Sequence, residues 1–524
     1  MIRLRDLRFG GSSWDAGGAF VPPVVDRYNI ATDCLDHPSG AAAVVDGDDV
    51  VTFGELSARA ARLAQHLAEL GVRPGDRVAV KLSQSIDMAV AVLGAIRSSA
   101  IVVPLSNVLA RSGLEHRLAD ASPVAVIAAE DDPVFALAPA AAHIAASALR
   151  DVAAGADPLR DTAAAEPALL LYTSGTTGKP KGVLHAHRVL LGHHAIDLAL
   201  DRVRPSDVAH SPVDWTWAGG LLLGLLVPLA HGITVVAHRE PRFDPAATFE
   251  LMRRTGVSVG LFPPTVLRML RASGVMTAST VSGTRLRCFV TGAEAVEPEL
   301  LAWGREVGVT INNAYGQTEA NALVGHAATL APCLDQASMG RPYPGHRIAV
   351  LDDDLCPVDD GMPGQLAVAD DDLVCMLEYW NNPEATAAKR RGGWLLTGDT
   401  VDRRTDGTLR FHGRNDDIIK SGAYRLGPAE IEAAILRHDE VAECAAVGVP
   451  DDIRGEVVVA VVRLRTGAEV EHDELTAALQ HLVRTEVGAH AYPRLVRVVD
   501  ELPRTTTNKV DRAAVRRSML EGAR

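Results

Sequence analysis

"VTFGELSARAARLAQHLAELGVRPGDRVAV", residues 51–80, changes its hydrophobic period partway along. Leu56, Ala60, Leu63, Leu67 and Leu70 recur at spacings of four and three, which places them on one face of a helix. Gly71 stands where a helix stop belongs, and beyond the "RPGD" turn the run "RVAVKL" reads as a strand. The same alternation returns in "MAVAVLGAIRSSAIVVPL" (88–105), "PVAVIAAE" (123–130), "GVSVGLFPPTVLRML" (256–270) and "LRCFVTGAEAV" (286–296). Strands alternating with helices predict an α/β fold whose parallel sheets are covered on both faces. The alanine-rich 140–168 reads as surface helix and loop leading into the next core strand.

A chain of 524 residues exceeds what one hydrophobic core supports, so at least two domains are expected. Apolar residues make up 47% of it and aromatics only 4%, which leaves most packing to Leu, Val and Ala. The net charge of −14 argues against nucleic acid or an anionic membrane as principal partner. Six cysteines lie far apart without a CxxC pair, as reduced thiols of a cytoplasmic protein would, not a disulfide framework or zinc site. The opening "MIRLRDLRFGGSSWDAGG" carries no apolar run of the secretory kind, so no signal segment is expected there. "AGGLLLGLLVPLAHG" (218–232) is too short and too broken to span a bilayer and reads as a core helix.

The chemistry concentrates in "LLYTSGTTGKPKGVLHAH" (170–187). A Walker A loop needs four residues between its first glycine and Gly-Lys, followed by Ser or Thr. Here Gly175 and Gly178 enclose only Thr176 and Thr177, and Pro180 follows Lys179, so this is not that loop. The residue types still suit a phosphate. Glycines let backbone approach closely, Thr173, Ser174, Thr176 and Thr177 offer hydroxyl and amide donors, and Lys179 and Lys181 bring charge.

This string resembles the signature of the adenylate-forming superfamily, which includes acyl-CoA synthetases, luciferase and peptide-synthetase adenylation domains. Further stretches agree in the family's order: "TGAEAVEPEL", "NNAYGQTEAN", "WLLTGDT", "GRNDDIIKSGAYRLGPAEIE" and "PRTTTNKVDR". "YRLGPAEIE" and the early "YNIATDCLD" are most similar to the medium-chain acyl-CoA synthetase group, related to acetyl-CoA synthetases. The resemblance implies a large N-terminal region of α/β subdomains (1–414) and a small, mobile α+β C-terminal domain (415–524).

It also implies roles. Tyr315 resembles the residue that stacks on adenine, Thr318 the one that bonds the α-phosphate, and Glu319 the one that reaches Mg²⁺, with Gly316 and Gln317 in the same turn. A carboxylate beside a triphosphate is otherwise repelled, and a metal between them reconciles the two. Gly292, Ala293 and Glu294 match the segment lining the adenine pocket. Asp399 matches the ribose-binding aspartate, whose two oxygens suit two hydroxyls, and Arg414 and Arg425 match nucleotide-contacting arginines. Read alone, "AYGQTE" is a helix-start turn with Thr and Glu as caps, and Gly398-Asp399 an ordinary turn.

Asp416 falls where the family places its hinge, and Lys509 matches the lysine that enters the site for the first reaction. Asn508 replaces the family's usual glycine before that lysine, and asparagine tolerates left-handed backbone. CoA contacts map to Gly422, Ala423, Tyr424, Arg454 and Arg484; at Ala423 many relatives carry glycine. Where acetyl-specific enzymes carry Trp, this chain has Gly316, which implies a deeper acyl pocket beside Trp217. His185, His187, His193 and His194 crowd together without cysteine or clustered carboxylate, which favours packing and positioning over a metal site.

The expected activity is ATP-dependent acyl-CoA formation through an acyl-AMP, from a short- to medium-chain fatty acid, with ATP, Mg²⁺ and CoA. A homodimer is the candidate assembly. The competing readings are a stand-alone adenylation enzyme loading a carrier protein, a luciferase-type oxygenase and a non-enzymatic nucleotide binder. No carrier domain follows Arg524 in this sequence, and retention of Glu319 and Lys509 argues against the last.

Overall fold

In the computed structural model the described residues are 2–7, 24–151, 161–173, 180–240, 242–294, 296–327, 338–415, 417, 419–421, 424–451, 455–468, 470–488, 491–504 and 510–521, with backbone alone at 151, 420, 424, 425, 455 and 521.

The helix expected at 51–80 spans Phe53–Glu69. It starts with a reciprocal cap: Glu55 N–H donates to Thr52 Oγ1 at 3.2 Å and Thr52 N–H to Glu55 Oε2 at 2.8 Å. At its end Gly71 takes φ +86°, and Val72 N–H reaches back to the Leu67 carbonyl, a glycine-stopped terminus. Leu56, Ala60, Leu63 and Leu67 are buried as the period required. Leu70 is not. It lies at the cap, where the chain turns away, and is 44% exposed. The buried face meets the helix Ile86–Arg97 closely enough that a Cβ on Gly94 would lie 2.7 Å from the Leu63 side chain.

Two sheets organise the large unit, which comprises Met1–Thr173, Lys181–Ile348 and Val368–Leu395. The first runs Glu378–Tyr379, Gly182–Ala186, Pro167–Tyr172, Ile101–Pro104, Arg77–Lys81, Ala125–Ala128 and Ala142–Ala145. From Pro167–Tyr172 onward every pairing is parallel. Along Arg77–Lys81, Val78 and Val80 enter one core and Ala79 another, so both faces are covered. Part of the alanine-rich stretch is strand and not only helix. Ala142–Ala145 pairs with Ala125–Ala128 and buries Ile144, while the short helix follows at Ala148–Asp151.

The second sheet runs Arg341–Pro342, Val324–Gly325, Thr310–Tyr315, Cys288–Gly292, Val259–Leu261, Val208–His210, Thr234–Ala237, Ala42–Asp46 and Asp49–Thr52. Its interior is parallel and its edges antiparallel. The strand order reverses at Val208–His210, flanked by Thr234–Ala237 on one side and Val259–Leu261 on the other. Such a reversal opens a crevice at the carboxyl ends of the strands. The apolar 218–232 is buried helix as expected, widening to a π turn over Leu222–Leu226 just before Pro228, which has no N–H to donate.

The smaller unit is built chiefly from Ala349–Ala367 and Leu396–Arg524. Its terminal sheet joins Tyr424–Leu426, Ile419–Ser421, Gly455–Leu464, Val441–Asp451 and Leu495–Val498. Cys444 and Ala446 face a core with the helices Pro428–Ile435 and His472–Glu486, while Ala445 and Val447 face Val515 and Met519 of Arg512–Glu521. The chain is therefore mixed α/β, with parallel sheets in a large N-terminal region and a smaller C-terminal part. Among the described residues no helix is long and apolar enough to cross a membrane.

Candidate active site

The carboxyl ends of two adjacent parallel strands carry the predicted nucleotide segments. Cys288–Gly292 runs into Ala293, held at φ +67°, and Glu294. Thr310–Tyr315 runs into Gly316, Gln317, Thr318 and Glu319. Glycine is required at both strand ends by contact. A Cβ on Gly292 would lie 2.0 Å from the Ala314 carbonyl oxygen, and one on Gly316 2.3 Å from the Ala322 nitrogen. After Gly316 the chain doubles back: Gln317 N–H donates to the Ala320 carbonyl and Leu323 N–H to that of Tyr315, both at 2.8 Å. Backbone therefore fills the space a side chain would take at Gly316, and the missing side chain opens no slot in that direction.

Around this turn the side chains form a connected set. Tyr379 donates to Glu319 Oε1 at 2.5 Å, and Met376 N–H holds the Glu319 carbonyl at 2.9 Å. The Tyr379 ring lies under the Lys181 ammonium, 5.1 Å from its centroid. Lys181 closes the base of the glycine-rich loop, where Thr173 N–H donates to its carbonyl at 3.0 Å. Gln317 Nε2 reaches the Tyr315 hydroxyl at 3.3 Å. Glu294 instead accepts from Thr265 at 2.7 Å and pairs with Arg268.

The crowded histidines are all buried and engage backbone. His185 Nε2 donates to the Thr318 carbonyl at 2.7 Å, His193 Nδ1 to that of Val189 and His194 Nε2 to that of Pro344. His187 Nδ1 accepts from Ile30 N–H at 3.3 Å. Burial pushes His185 and His194 down to about 4 and His187 and His193 to about 3, which favours neutral rings, and His194 also turns Nδ1 toward the Leu191 carbonyl at 3.1 Å. Among the described residues no group of three or more His, Cys, Asp or Glu is placed to hold a metal ion.

Trp217 is half-buried at the N-cap of Ala218–Leu221. Buried Asp214 shapes that turn: its carboxylate pairs with Arg239 and accepts from Ser106 and Thr216 N–H, while its carbonyl accepts from Trp217 N–H. The leucines after Trp217 mostly enter the core; Leu221, Leu222, Leu225 and Leu226 are fully buried.

In the smaller unit, Asp399 is 5% exposed and lies opposite Arg414 across an antiparallel pair, its Oδ1 3.9 Å from Arg414 Nε. Arg425 registers opposite Lys420. Arg484 stacks on Tyr492, 3.9 Å from ring centroid to guanidinium carbon. Ser174, Gly175, Thr176, Thr177, Gly178, Lys179, Asp416, Gly422, Ala423, Arg454 and Lys509 lie outside the described residues, as do the side chains of Tyr424 and Arg425.

Tyr379 was not legible as a candidate in the sequence. A tyrosine in "EYWNNPEAT" carries no chemical pattern, and only the pairing of Tyr379 with Val183 brings it beside Lys181 and Glu319. Tyr379→Phe keeps the ring under Lys181 but frees the carboxylate. A hydrogen bond to a charged group contributes about 1.5–3 kcal/mol, so kcat/KM for ATP is expected to fall by about 10- to 100-fold with little change in thermal unfolding. An unchanged kcat/KM would make the contact incidental.

The family model "AMP-binding enzyme" matches residues 31–380, and "AMP-binding enzyme C-terminal domain" matches 430–509. Benzoate–CoA ligase of Thauera aromatica is 31% identical over 94% of this chain and 97% of its own. Acetyl-coenzyme A synthetase of Bacillus subtilis is 30% identical over 90% and 85%. The crystal structure of ATP-bound MatB from Rhodopseudomonas palustris superposes with a TM-score of 0.84 at 27% identity, covering 94% of this chain and 98% of that one. The chain thus belongs to the AMP-binding enzyme family, within the adenylate-forming superfamily, and is an AMP-forming ligase of the acyl-CoA synthetase type.

Proposed function

We propose that this ligase joins a short- to medium-chain fatty acid to CoA in two half-reactions at one site. The carrying observation is the turn 315–323, where Glu319 is fixed by Tyr379 next to Lys181 at the base of the glycine-rich loop. In the first half-reaction a carboxylate oxygen bonds to the α-phosphorus of ATP, the bond to the β-phosphate oxygen breaks, and pyrophosphate leaves. Attack on an anionic phosphate needs concentrated donors and positive charge. Thr318, the loop 173–181 and Lys509 supply them in this reading, and Tyr315, Gly292–Glu294, Asp399, Arg414 and Arg425 hold the nucleoside. The hard oxygen donor of Glu319 fits Mg²⁺, which when bound would offset triphosphate charge.

In the second half-reaction the CoA sulfur bonds to the acyl carbon, its proton is lost, and AMP leaves. Gly422, Ala423, Tyr424, Arg454 and Arg484 are assigned to CoA. The domain boundary is set at 414/415 with Asp416 as pivot, so that one C-terminal domain serves both steps. Trp217, Leu223 and Leu261 are apolar and part-exposed, Leu261 at the end of its strand, which supports an apolar acid. A cytoplasmic location and a homodimer belong to the same proposal.

A panel of straight-chain, aromatic and dicarboxylic acids, assayed by AMP release with CoA, tests this. Each buried methylene contributes about 0.8 kcal/mol, about fourfold in affinity, so kcat/KM is expected to rise from acetate through butyrate or longer and then fall. A preference for acetate, an aromatic acid or a dicarboxylate would overturn the substrate assignment and leave the ligase reading standing.

A further inference from the structure

His412 sits between two carboxylates from different elements. Its Nε2 is 2.6 Å from Asp402 Oδ2, and its Nδ1 is 2.8 Å from Glu430 Oε1. Asp402 lies on Trp394–Arg403 and His412 on the paired Leu409–Arg414, while Glu430 is in the first turn of the helix Pro428–Ile435. Arg410 also binds Asp402, at 2.7 and 2.8 Å, and completes the charged groups around the ring among the described residues. Asp402 is 1% exposed and His412 9%.

A neutral imidazole has one N–H and can donate to only one of these carboxylates; its other nitrogen would turn a lone pair toward the second. The imidazolium, with an N–H on each nitrogen, donates to both. Its charge with that of Arg410 balances the two carboxylates. The burial that would lower the ring's pKa is outweighed by the bonds to Glu430 and Asp402, and His412 is held above the ordinary histidine value. Glu430 is held low by the same bond to His412. The helix also abuts this strand through backbone, since a Cβ on Gly427 would lie 2.2 Å from the His412 carbonyl oxygen.

Asp402, Arg410 and His412 precede the proposed pivot at 416, and Glu430 follows it. A rotation there that carries the helix away from the strand must break the His412–Glu430 bond. We propose that His412 is a positioning residue that clamps the helix Pro428–Ile435 in one of the two orientations the half-reactions need, and that loss of its proton releases the helix. The inference rests on the two-step reading above.

The test combines hydrogen exchange of residues 428–435 with separate assays of the half-reactions: acid-dependent pyrophosphate release, and thioester formation from preformed acyl-AMP. In the wild type, helix protection corrected for intrinsic exchange is expected to fall about tenfold from about pH 6 to about pH 9, with a parallel change in the ratio of the half-reactions. His412→Gln should abolish both pH dependences and raise one half-reaction relative to the other by about threefold or more. Glu430→Gln, which leaves His412 in place, should do the same. Variants that keep the wild-type pH dependence of protection, or lose both half-reactions equally, overturn the clamp alone. A wild type without acid-dependent pyrophosphate release overturns the two-step reading and the clamp with it.

Discussion

Lys509→Ala is expected to lose acyl-AMP formation by about 10²- to 10³-fold, the usual cost of removing one preorganised donor from a developing anion. Negative charge builds on the α-phosphate as the carboxylate attacks, and the Lys509 ammonium is proposed to meet it. Thioester formation from preformed acyl-AMP should persist within about threefold, because in the proposed cycle Lys509 has swung away before the CoA sulfur attacks the acyl carbon and AMP leaves. Rapid-quench measurement of each half-reaction separates the two. Parallel loss of both would make Lys509 structural and remove the basis for a two-orientation cycle.

Gly316→Ala is the second large effect. The added methyl would stand 2.3 Å from the Ala322 nitrogen and 3.1 Å from Asn321 Cα, and its three nearest atoms are all backbone, with no flexible side chain among them to give way. Overpacking of this kind costs about 1–3 kcal/mol, read by urea unfolding. Relief requires the turn 315–323 to open, which displaces Thr318 and Glu319, and misplacement by about 1 Å can cost about 10²-fold in kcat/KM for ATP. Gly316→Trp should therefore be inactive and not merely redirected toward acetate. A Trp variant that folds, turns over and prefers acetate would show that a pocket does open at this position.

How far the sequence carried the reading depended on the kind of signal. The helix at 53–69 and its glycine stop were legible because a spacing of four and three has one structural meaning, and Leu70 departed only because the cap turns it outward. Ala142–Ala145 was not, since alanine favours helix and only pairing with Ala125–Ala128 makes that short edge a strand. Gly316 illustrates a second limit. The residue type was read as missing bulk, whereas its reason is a backbone contact with residues 321 and 322 that no local pattern encodes. Tyr379 and His412 act through partners 60 and 18 positions away, and such pairings arise only from the fold.

The most direct measurement is a single-turnover reaction of the full chain with ATP, Mg²⁺ and a saturating straight-chain acid, followed by addition of CoA. Acid-dependent pyrophosphate should appear first, at close to one per active site, with acyl-AMP retained on the protein. CoA should then convert that acyl-AMP to acyl-CoA with matching release of AMP. Retained acyl-AMP that CoA does not discharge, while a pantetheinylated carrier protein does, would contradict the assignment of CoA as acceptor.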